Sequence, residues 1–237
     1  MLKATEISQK DIVLEIGPGI GTLTQELAQK AKRVIAVEKD PTMVKILRET
    51  TGALPNIEII QADILKLNLA RLSYSKVVAN LPYYITSPVI RMFLEAKNKP
   101  ELMVFMVQKE VAQRICAKPP DMNLLAVSVQ FYAEPKIVSF VRKGAFWPQP
   151  KVDSAIVKIV PKNELPFVDP GLFFRIVKAG FKQPRKQLGN NLAQGLKLSR
   201  EEIETWLNQG DIQPTQRAET LSLTDWVVLA KSLPKST

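Results

Sequence analysis

One apolar run in the sequence ends abruptly at residues that could hold a flat, hydrogen-bonding ligand. Residues 76–79 are apolar after Lys76 and do not alternate with polar residues, which is typical of a strand buried on both faces. Asn80 and Leu81 follow, and Pro82 stiffens the exit because it fixes its own φ and biases Leu81 towards an extended conformation. Open α/β sheets bind ligands at the carboxyl ends of their strands. We therefore expect the Asn80 side-chain oxygen and the Leu81 carbonyl to face the exocyclic amine of a flat base, with the Tyr83 ring beside that base.

A glycine-rich turn supplies a second candidate site. Residues 12–16 predict a strand, helical spacing follows, and Gly17, Gly19 and Gly21 lie between them. This order is typical of nucleotide binding, although a glycine triplet alone also fits a tight turn that needs positive φ. The spacing is Gly-x-Gly-x-Gly, whereas the dinucleotide fingerprint is Gly-x-Gly-x-x-Gly.

Two acids follow the next two predicted strands. Glu38 comes after residues 33–37, where an acid can accept hydrogen bonds from ribose hydroxyls. Asp63 comes shortly after residues 57–60 and could accept a hydrogen bond from an adenine amine. Either acid alone fits a solvated strand end or a cap, and only the combination with the glycine turn favours a site. Because no phosphate-binding cation accompanies them, the pattern favours S-adenosylmethionine over a nicotinamide cofactor, which carries a pyrophosphate.

Composition limits the possible chemistry and the possible partners. The 237 residues include one cysteine and no histidine, which excludes zinc-type metal sites and histidine-based catalysis. The net charge of +10 favours a polyanionic partner, nucleic acid before an anionic membrane, although a merely basic protein is the alternative. No apolar stretch approaches the roughly 20 residues that span a bilayer.

The order of predicted elements defines the fold class. Strands and helices alternate with short connections over residues 12–107, which predicts a doubly wound, mostly parallel α/β sheet. Two further strands, over residues 136–141 and 154–160, are too close in sequence for a crossover helix. We therefore expect them to be antiparallel neighbours at the sheet edge, which makes seven strands in a first domain of residues 1–161.

The remaining residues, 162–237, predict a small all-helical domain with two helix-start signals. Residues 199–202 have the Ser-x-x-Glu form of a capping box. Either Ser222 or Thr224 could cap a last helix that carries Trp226.

Four motifs carry a resemblance to a known family. They occupy residues 15–21, 80–83, 108–114 and 146–154. Together they resemble the KsgA family of small-subunit ribosomal RNA adenine dimethyltransferases, from about Asp11 to the C-terminus. The related Erm methyltransferases of large-subunit RNA usually differ at the positions of Leu81 and Asp153, so these residues favour the KsgA side.

The resemblance implies a Rossmann-like class I methyltransferase that dimethylates N6 of two adjacent adenosines near the 3′ end of small-subunit RNA. It also implies a role in small-subunit biogenesis, S-adenosylhomocysteine as the product and no metal. We further expect a cytoplasmic monomer with no membrane partner. The residues implied to contact S-adenosylmethionine are Gly17, Gly19, Glu38, Asp63 and Asn80. Those implied to hold the target adenine are Asn80, Leu81, Pro82 and Tyr83, with Phe146 on its other face.

Scattered cations are expected to contact RNA. The candidates are Arg114, Lys151, Arg185, Lys186 and Arg217. For each one a solvated surface position is an equally good interpretation. Collectively they predict a steep salt dependence of RNA binding.

The N-terminus departs from the family pattern. Family members normally begin with a basic segment and a Gln-x-Phe-Leu motif that closes over cofactor and base, and Met1 falls after the position of that segment. Its loss would favour a catalytically weak RNA-binding assembly factor as the first alternative function. An Erm-type enzyme of large-subunit RNA is the second alternative, and a nicotinamide oxidoreductase is the third.

Overall fold

The computed structural model describes residues 1–234, and at Tyr83 it describes the backbone alone. The chain forms two compact units. The first contains Met1–Gln113 and Ala133–Pro161, and the second contains Arg114–Tyr132 and the chain from Lys162 onwards. The division after Pro161 coincides with the boundary expected from the sequence.

Residues 114–132 differ from the expected division, because they belong to the second unit and not to the first. The reason is apolar packing. Met122 and Phe131 are buried in the same hydrophobic cluster as Phe173 and Trp226. The second unit therefore assembles from two separate stretches of the chain, which periodicity along the sequence does not reveal.

The first unit is built on one sheet. Within the described residues its strands are β1 (Ile12–Ile16), β2 (Arg33–Glu38), β3 (Ile57–Gln61), β4 (Lys76–Asn80), β5 (Leu102–Gln108), β6 (Ala133–Val141) and β7 (Ser154–Pro161). The order across the seven-stranded sheet is β3-β2-β1-β4-β5-β7-β6. The first five in this order are parallel, whereas β7 is antiparallel to both β5 and β6. The predicted mostly parallel α/β sheet is confirmed.

Helices cover this sheet and make up most of the second unit. Those that begin in the first unit are α1 (Leu2–Thr5), α2 (Thr22–Ala28), α3 (Pro41–Thr51), α4 (Thr86–Glu95) and α5 (Lys109–Ile115). Those of the second unit are α6 (Leu124–Tyr132), α7 (Pro170–Gly180), α8 (Leu188–Leu196), α9 (Arg200–Gln209) and α10 (Leu223–Lys231). Among residues 1–234 no helix is both long and apolar enough to cross a membrane.

The central strands are buried on both faces, as their continuous apolar sequence predicts. Val13 and Leu14 of β1 and Val77 and Val78 of β4 are fully buried. Successive strands are added on one side of β1 up to β3 and on its other side from β4, so the strand order reverses between β1 and β4. Doubly wound sheets open a crevice at their carboxyl edge at this point.

Polar caps start two helices of the second unit. Ser199 and Glu202 form the predicted capping box of α9, in which each side chain accepts a hydrogen bond from the backbone N–H of the other residue. Ser222, and not Thr224, caps α10, and it forms a second capping box with Asp225. Each such cap contributes about 1 kcal/mol to helix stability.

Candidate functional site

The residues predicted from the sequence to bind a cofactor lie at one edge of the first unit. Gly17 follows β1, Glu38 ends β2, Asp63 lies two residues beyond β3, and Asn80 ends β4. Because these strands are parallel and in register, their carboxyl ends meet. Ile16 pairs with Ala79, so the glycine turn and Asn80 leave neighbouring strands side by side.

The glycine turn combines positive backbone torsions with open space. Gly17, Gly19 and Gly21 have φ of 65°, 58° and 89°, a region that favours glycine. A Cβ atom on Gly17 or Gly19 would meet nothing within 4 Å, whereas one on Gly21 would lie 2.8 Å from the Leu47 side chain. Gly21 therefore allows α2 and α3 to approach closely, and the first two glycines leave room above the turn.

The carboxylate of Glu38 ties this turn to the end of β2. Its Oε2 accepts a hydrogen bond from the Gly19 backbone N–H at 3.2 Å, and its Oε1 accepts from Lys39 and Asp40 at 2.7 and 2.9 Å. The residue is only 9% exposed. Since each carboxylate oxygen has two lone pairs, acceptor capacity remains for a ligand hydroxyl.

Asp63 is held by two donors. Its Oδ1 accepts from the backbone N–H of Leu65 at 3.1 Å, which is the capping arrangement that the sequence also allowed. Its Oδ2 forms an ion pair with the Lys39 ammonium at 3.0 Å, and the hydrogen bond from Lys39 lowers the pKa of Asp63. A ligand amine at this carboxylate would compete with Lys39, a partner that sequence reasoning missed.

A third acid, to which the sequence analysis gave no role of its own, lies two residues before the glycine turn. Glu15 is 2% exposed inside β1, and among the described residues its Oε2 has no hydrogen-bond partner. Burial raises the pKa of its carboxyl to about 7. One acid inside an otherwise apolar strand was the available signal, because burial of a carboxyl oxygen without a hydrogen bond is costly.

Asn80 lies at the surface of the site and Leu81 anchors the chain behind it. Asn80 is exposed, whereas the Leu81 side chain is 2% exposed and its backbone N–H donates to the Met106 carbonyl at 3.2 Å. Pro82 has φ of −55° and accepts from the Ile85 N–H at 3.1 Å, which starts a 3₁₀ turn. The Tyr83 side chain lies outside the part of the chain that the structure describes.

Phe146 lies on the connection between β6 and β7, which reaches the same edge of the sheet. Because β7 is antiparallel to β5, its first residue, Ser154, pairs with the last residue of β5, Gln108. Phe146 is half-buried and the neighbouring Trp147 is 98% exposed. The structure thus brings this aromatic segment to the carboxyl edge, and the stacking role of Phe146 stays a prediction.

The cations predicted to contact RNA are all exposed. Lys151 belongs to the first unit, and the other four belong to the second, where Arg217 pairs with Glu219 at 3.5 Å. The other three are Arg114, Arg185 and Lys186. Their contacts with RNA also stay a prediction.

Within residues 1–234 no group of three or more His, Cys, Asp or Glu side chains is placed to hold a metal ion.

The strand order is that of a Rossmann-like α/β fold, and the glycine turn with the acids at the carboxyl ends of β2 and β3 fits a methyltransferase. The model of the ribosomal RNA adenine dimethylase family matches residues 1–235. The chain belongs to this family, which confirms both the resemblance read from its motifs and the assignment as a methyltransferase.

Individual relatives agree with this membership. The chain is 50% identical over 235 residues to the ribosomal RNA small subunit methyltransferase A of Dehalococcoides mccartyi, with 97% of this chain and 81% of that protein covered. It is 26% identical to a dimethyladenosine transferase from Plasmodium falciparum, with a TM-score of 0.82 and 96% and 91% of the chains covered. It is 29% identical to the 23S rRNA methyltransferase ErmE, with a TM-score of 0.80, and the match covers 98% of this chain and 94% of that chain.

Proposed function

We propose that the chain transfers methyl groups from S-adenosylmethionine to N6 of two adjacent adenosines near the 3′ end of small-subunit ribosomal RNA. The observation that carries this proposal is the exposed amide of Asn80 beside the glycine turn, where an amine acceptor and a methyl donor could share one crevice. Family membership supports the reaction class. The names of relatives that are 40–50% identical support the small subunit as the source of the RNA.

The edge residues fit the cofactor chemically. Gly17 and Gly19 leave open space above the turn, and Glu38 retains acceptor capacity for ribose hydroxyls. Asp63 would accept from the adenine amine once its oxygen is shared with or released by Lys39. S-adenosylmethionine, when bound, supplies an electrophilic sulfonium methyl group.

The residues after β4 would activate the target amine. The N6 lone pair of adenine is delocalised into the ring, which makes the amine a poor nucleophile. When the Asn80 side-chain oxygen and the Leu81 carbonyl accept its two hydrogens, they favour a tetrahedral nitrogen whose lone pair is available. This is electrostatic preorganisation and positioning, for which no general base is required, and the chain contains no histidine.

Aromatic rings would hold the base outside its stack. Tyr83 and Phe146 are assigned to its two faces, at about 1–3 kcal/mol for each stacked base. Pro82 and the buried Leu81 side chain stiffen the segment that presents the Asn80 side-chain oxygen and the Leu81 carbonyl.

The exposed cations Arg114, Lys151, Arg185, Lys186 and Arg217 would contact phosphates. The proposed partner is the immature small subunit, and the proposed form is a cytoplasmic monomer.

A methyl-transfer assay tests this function against its alternatives. Labelled S-adenosylmethionine is offered with undermethylated small subunits and, separately, with naked large-subunit RNA. We expect label in N6-dimethyladenosine of the small-subunit RNA. Label in large-subunit RNA would support an Erm-type enzyme, which the similarity to ErmE favours as the second candidate. Tight RNA binding without transfer to either RNA would support the assembly factor.

A further inference from the structure

Trp147 is the most exposed large apolar side chain that the structure describes. Its indole is 98% exposed, while the other two tryptophans of the chain, Trp206 and Trp226, are fully buried. Single exposed apolar residues are ordinary on protein surfaces, so exposure alone assigns no role. The surroundings of Trp147 decide whether it forms part of a binding surface.

The backbone turns Trp147 away from the ring that precedes it. Phe146 is extended, with φ of −119° and ψ of 148°, and successive side chains of an extended chain point to opposite sides. Phe146 is half-buried, and Trp147 is directed into solvent. The rings of Phe146 and Trp147 therefore point in different directions from one short segment. This arrangement fits two neighbouring bases that are not stacked on each other.

A pocket that contains three lysines lies on the same connection. Lys143 and Lys151 flank the aromatic pair in sequence, and with Lys109, the first residue of α5, they line an open pocket of about 350 Å³. Its two acidic side chains are Glu110 and Asp153. Three ammonium groups against two carboxylates leave a positive excess, which suits a phosphate group.

The pocket is held in shape by hydrogen bonds. Asp153 Oδ1 accepts from the Lys143 backbone N–H at 3.0 Å, and the Asp153 carbonyl accepts from the Lys109 backbone N–H at 3.0 Å. The Lys109 ammonium lies 5.4 Å from the centre of the Phe140 ring, a cation–π distance. Asp153 thus joins the connection to the start of α5 through its backbone carbonyl, and its carboxylate holds Lys143 while it also lines the pocket.

Cations beside an exposed aromatic face are the combination that binds single-stranded nucleic acid. Lysines neutralise the backbone without reading sequence, and an indole stacks on any base. A protein partner would more often bury an apolar surface with few charges. The lysine pocket therefore favours RNA over protein as the occupant of this surface.

We propose that the connection between β6 and β7 binds the nucleotide next to the target adenosine. Trp147 stacks on its base, and the pocket of Lys109, Lys143 and Lys151 holds a backbone phosphate. This inference rests on the proposed function, in which Phe146 stacks on the target base. In the proposed substrate the neighbouring base is the second adenosine of the pair, so the enzyme would hold both while it methylates one.

Tryptophan fluorescence provides a direct measurement. Because Trp206 and Trp226 are buried, the emission that iodide can quench comes from Trp147. A single-stranded RNA oligonucleotide with two adjacent adenosines should protect this emission from iodide. An oligonucleotide that has an abasic site in place of one adenosine should protect it less. Equal quenching by iodide with and without saturating RNA would overturn the inference.

Substitutions separate stacking from charge. Trp147→Ala should weaken binding of the oligonucleotide by about fivefold to a hundredfold, and Trp147→Phe should restore most of it. Phe167→Ala removes another aromatic side chain that is 94% exposed and should bind like the unsubstituted chain. Unchanged binding by Trp147→Ala would overturn the stacking role.

The lysines are tested by salt dependence. Lys143→Gln with Lys151→Gln should reduce the slope of log affinity against log salt by about 0.7 for each lost phosphate contact. Lys10→Gln with Lys32→Gln, at the opposite end of β1 and β2, should leave the slope unchanged. Equal slopes in all chains would overturn the phosphate pocket.

Methyl transfer distinguishes this inference from the function on which it rests. Absence of transfer by the unsubstituted chain to undermethylated small subunits would overturn both. Normal transfer by the unsubstituted chain, together with normal transfer and normal RNA binding by Trp147→Ala, would overturn only the binding of the neighbouring nucleotide.

Discussion

The backbone N–H of Gly19 donates a hydrogen bond to the carboxylate of Glu38 across 3.2 Å, so the glycine turn and the end of β2 form one unit. The other oxygen of Glu38 accepts from two further backbone N–H groups, those of Lys39 and Asp40. Through these hydrogen bonds Glu38 itself stabilises the position of the glycine turn against the end of β2. In the proposed function it would also accept from the cofactor ribose.

Replacement of Glu38 by glutamine should affect both roles. The amide retains one acceptor oxygen and places an NH₂ group against backbone donors, so Glu38→Gln should lower the free energy of unfolding by about 1–3 kcal/mol. Cofactor affinity should fall about tenfold, because hydrogen bonds to a charged acceptor are the stronger ones. Urea unfolding and titration calorimetry measure the two effects. Glu26→Gln on the exposed face of α2 is the control, and an equal loss there would contradict the assignment.

Two glycines of the turn should respond differently to alanine. Gly21→Ala would bring a Cβ to 2.8 Å from Leu47 at φ of 89°, so we expect a loss of about 2 kcal/mol or more in stability. Gly17→Ala meets no atom within 4 Å, so its stability cost should be about 1–2 kcal/mol from the positive φ alone. Its methyl group would, however, enter the open space assigned to the cofactor and weaken binding. Thermal unfolding and cofactor titration of both variants test this, with Gly144→Ala as the unstrained control.

The ion pair of Lys39 with Asp63 should compete with the cofactor adenine. Removal of the ammonium in Lys39→Gln frees one oxygen of Asp63, so cofactor affinity should rise by up to about fivefold, the range of an ion pair that solvent reaches. The pKa of Asp63 should rise towards its usual value in the same variant. Calorimetry measures the affinity, with Arg200→Gln as a control that breaks another exposed pair. Weaker binding by Lys39→Gln would mean that Lys39 itself contacts the cofactor.

Burial of Glu15 should make stability depend on pH in one direction. Its pKa is about 7 in the folded chain, compared with 4.5 as the ordinary value. Between these values the folded chain retains a proton that the unfolded chain has lost, so the free energy of unfolding falls as pH rises through this window. The free energy of unfolding of Glu15→Gln should therefore exceed that of the unsubstituted chain by up to about 3 kcal/mol above pH 7, and by little below pH 4.5. Urea unfolding across this range measures the difference, and a difference that does not vary with pH would contradict it.

Local patterns in the sequence predicted the sheet and its edge because these depend on neighbours in the chain. The apolar strands, the glycine turn and the capping box of Ser199 with Glu202 each follow from residues a few positions apart. The start of β6 was not predicted, because Pro135 interrupts the strand pattern. In the structure Pro135 pairs with Ile159, and an edge strand such as β6 tolerates a proline. Long-range contacts were also missed: the packing of Phe131 with Phe173 and the pairing of Lys39 with Asp63 join segments whose approach only the folded chain defines.

Asn80 provides the sharpest test of the proposed chemistry. Asn80→Ala removes one of the two acceptors assigned to the target amine, so methyl transfer should fall by about a hundredfold to a thousandfold, the loss typical of one preorganised hydrogen-bond partner. Because the Asn80 side chain is exposed, the midpoint of thermal unfolding should change little. Asn80→Asp keeps an acceptor oxygen and should retain more activity than the alanine variant. Single-turnover transfer to undermethylated small subunits measures the rate, and an Asn80→Ala enzyme that is fully active would rule out this mechanism.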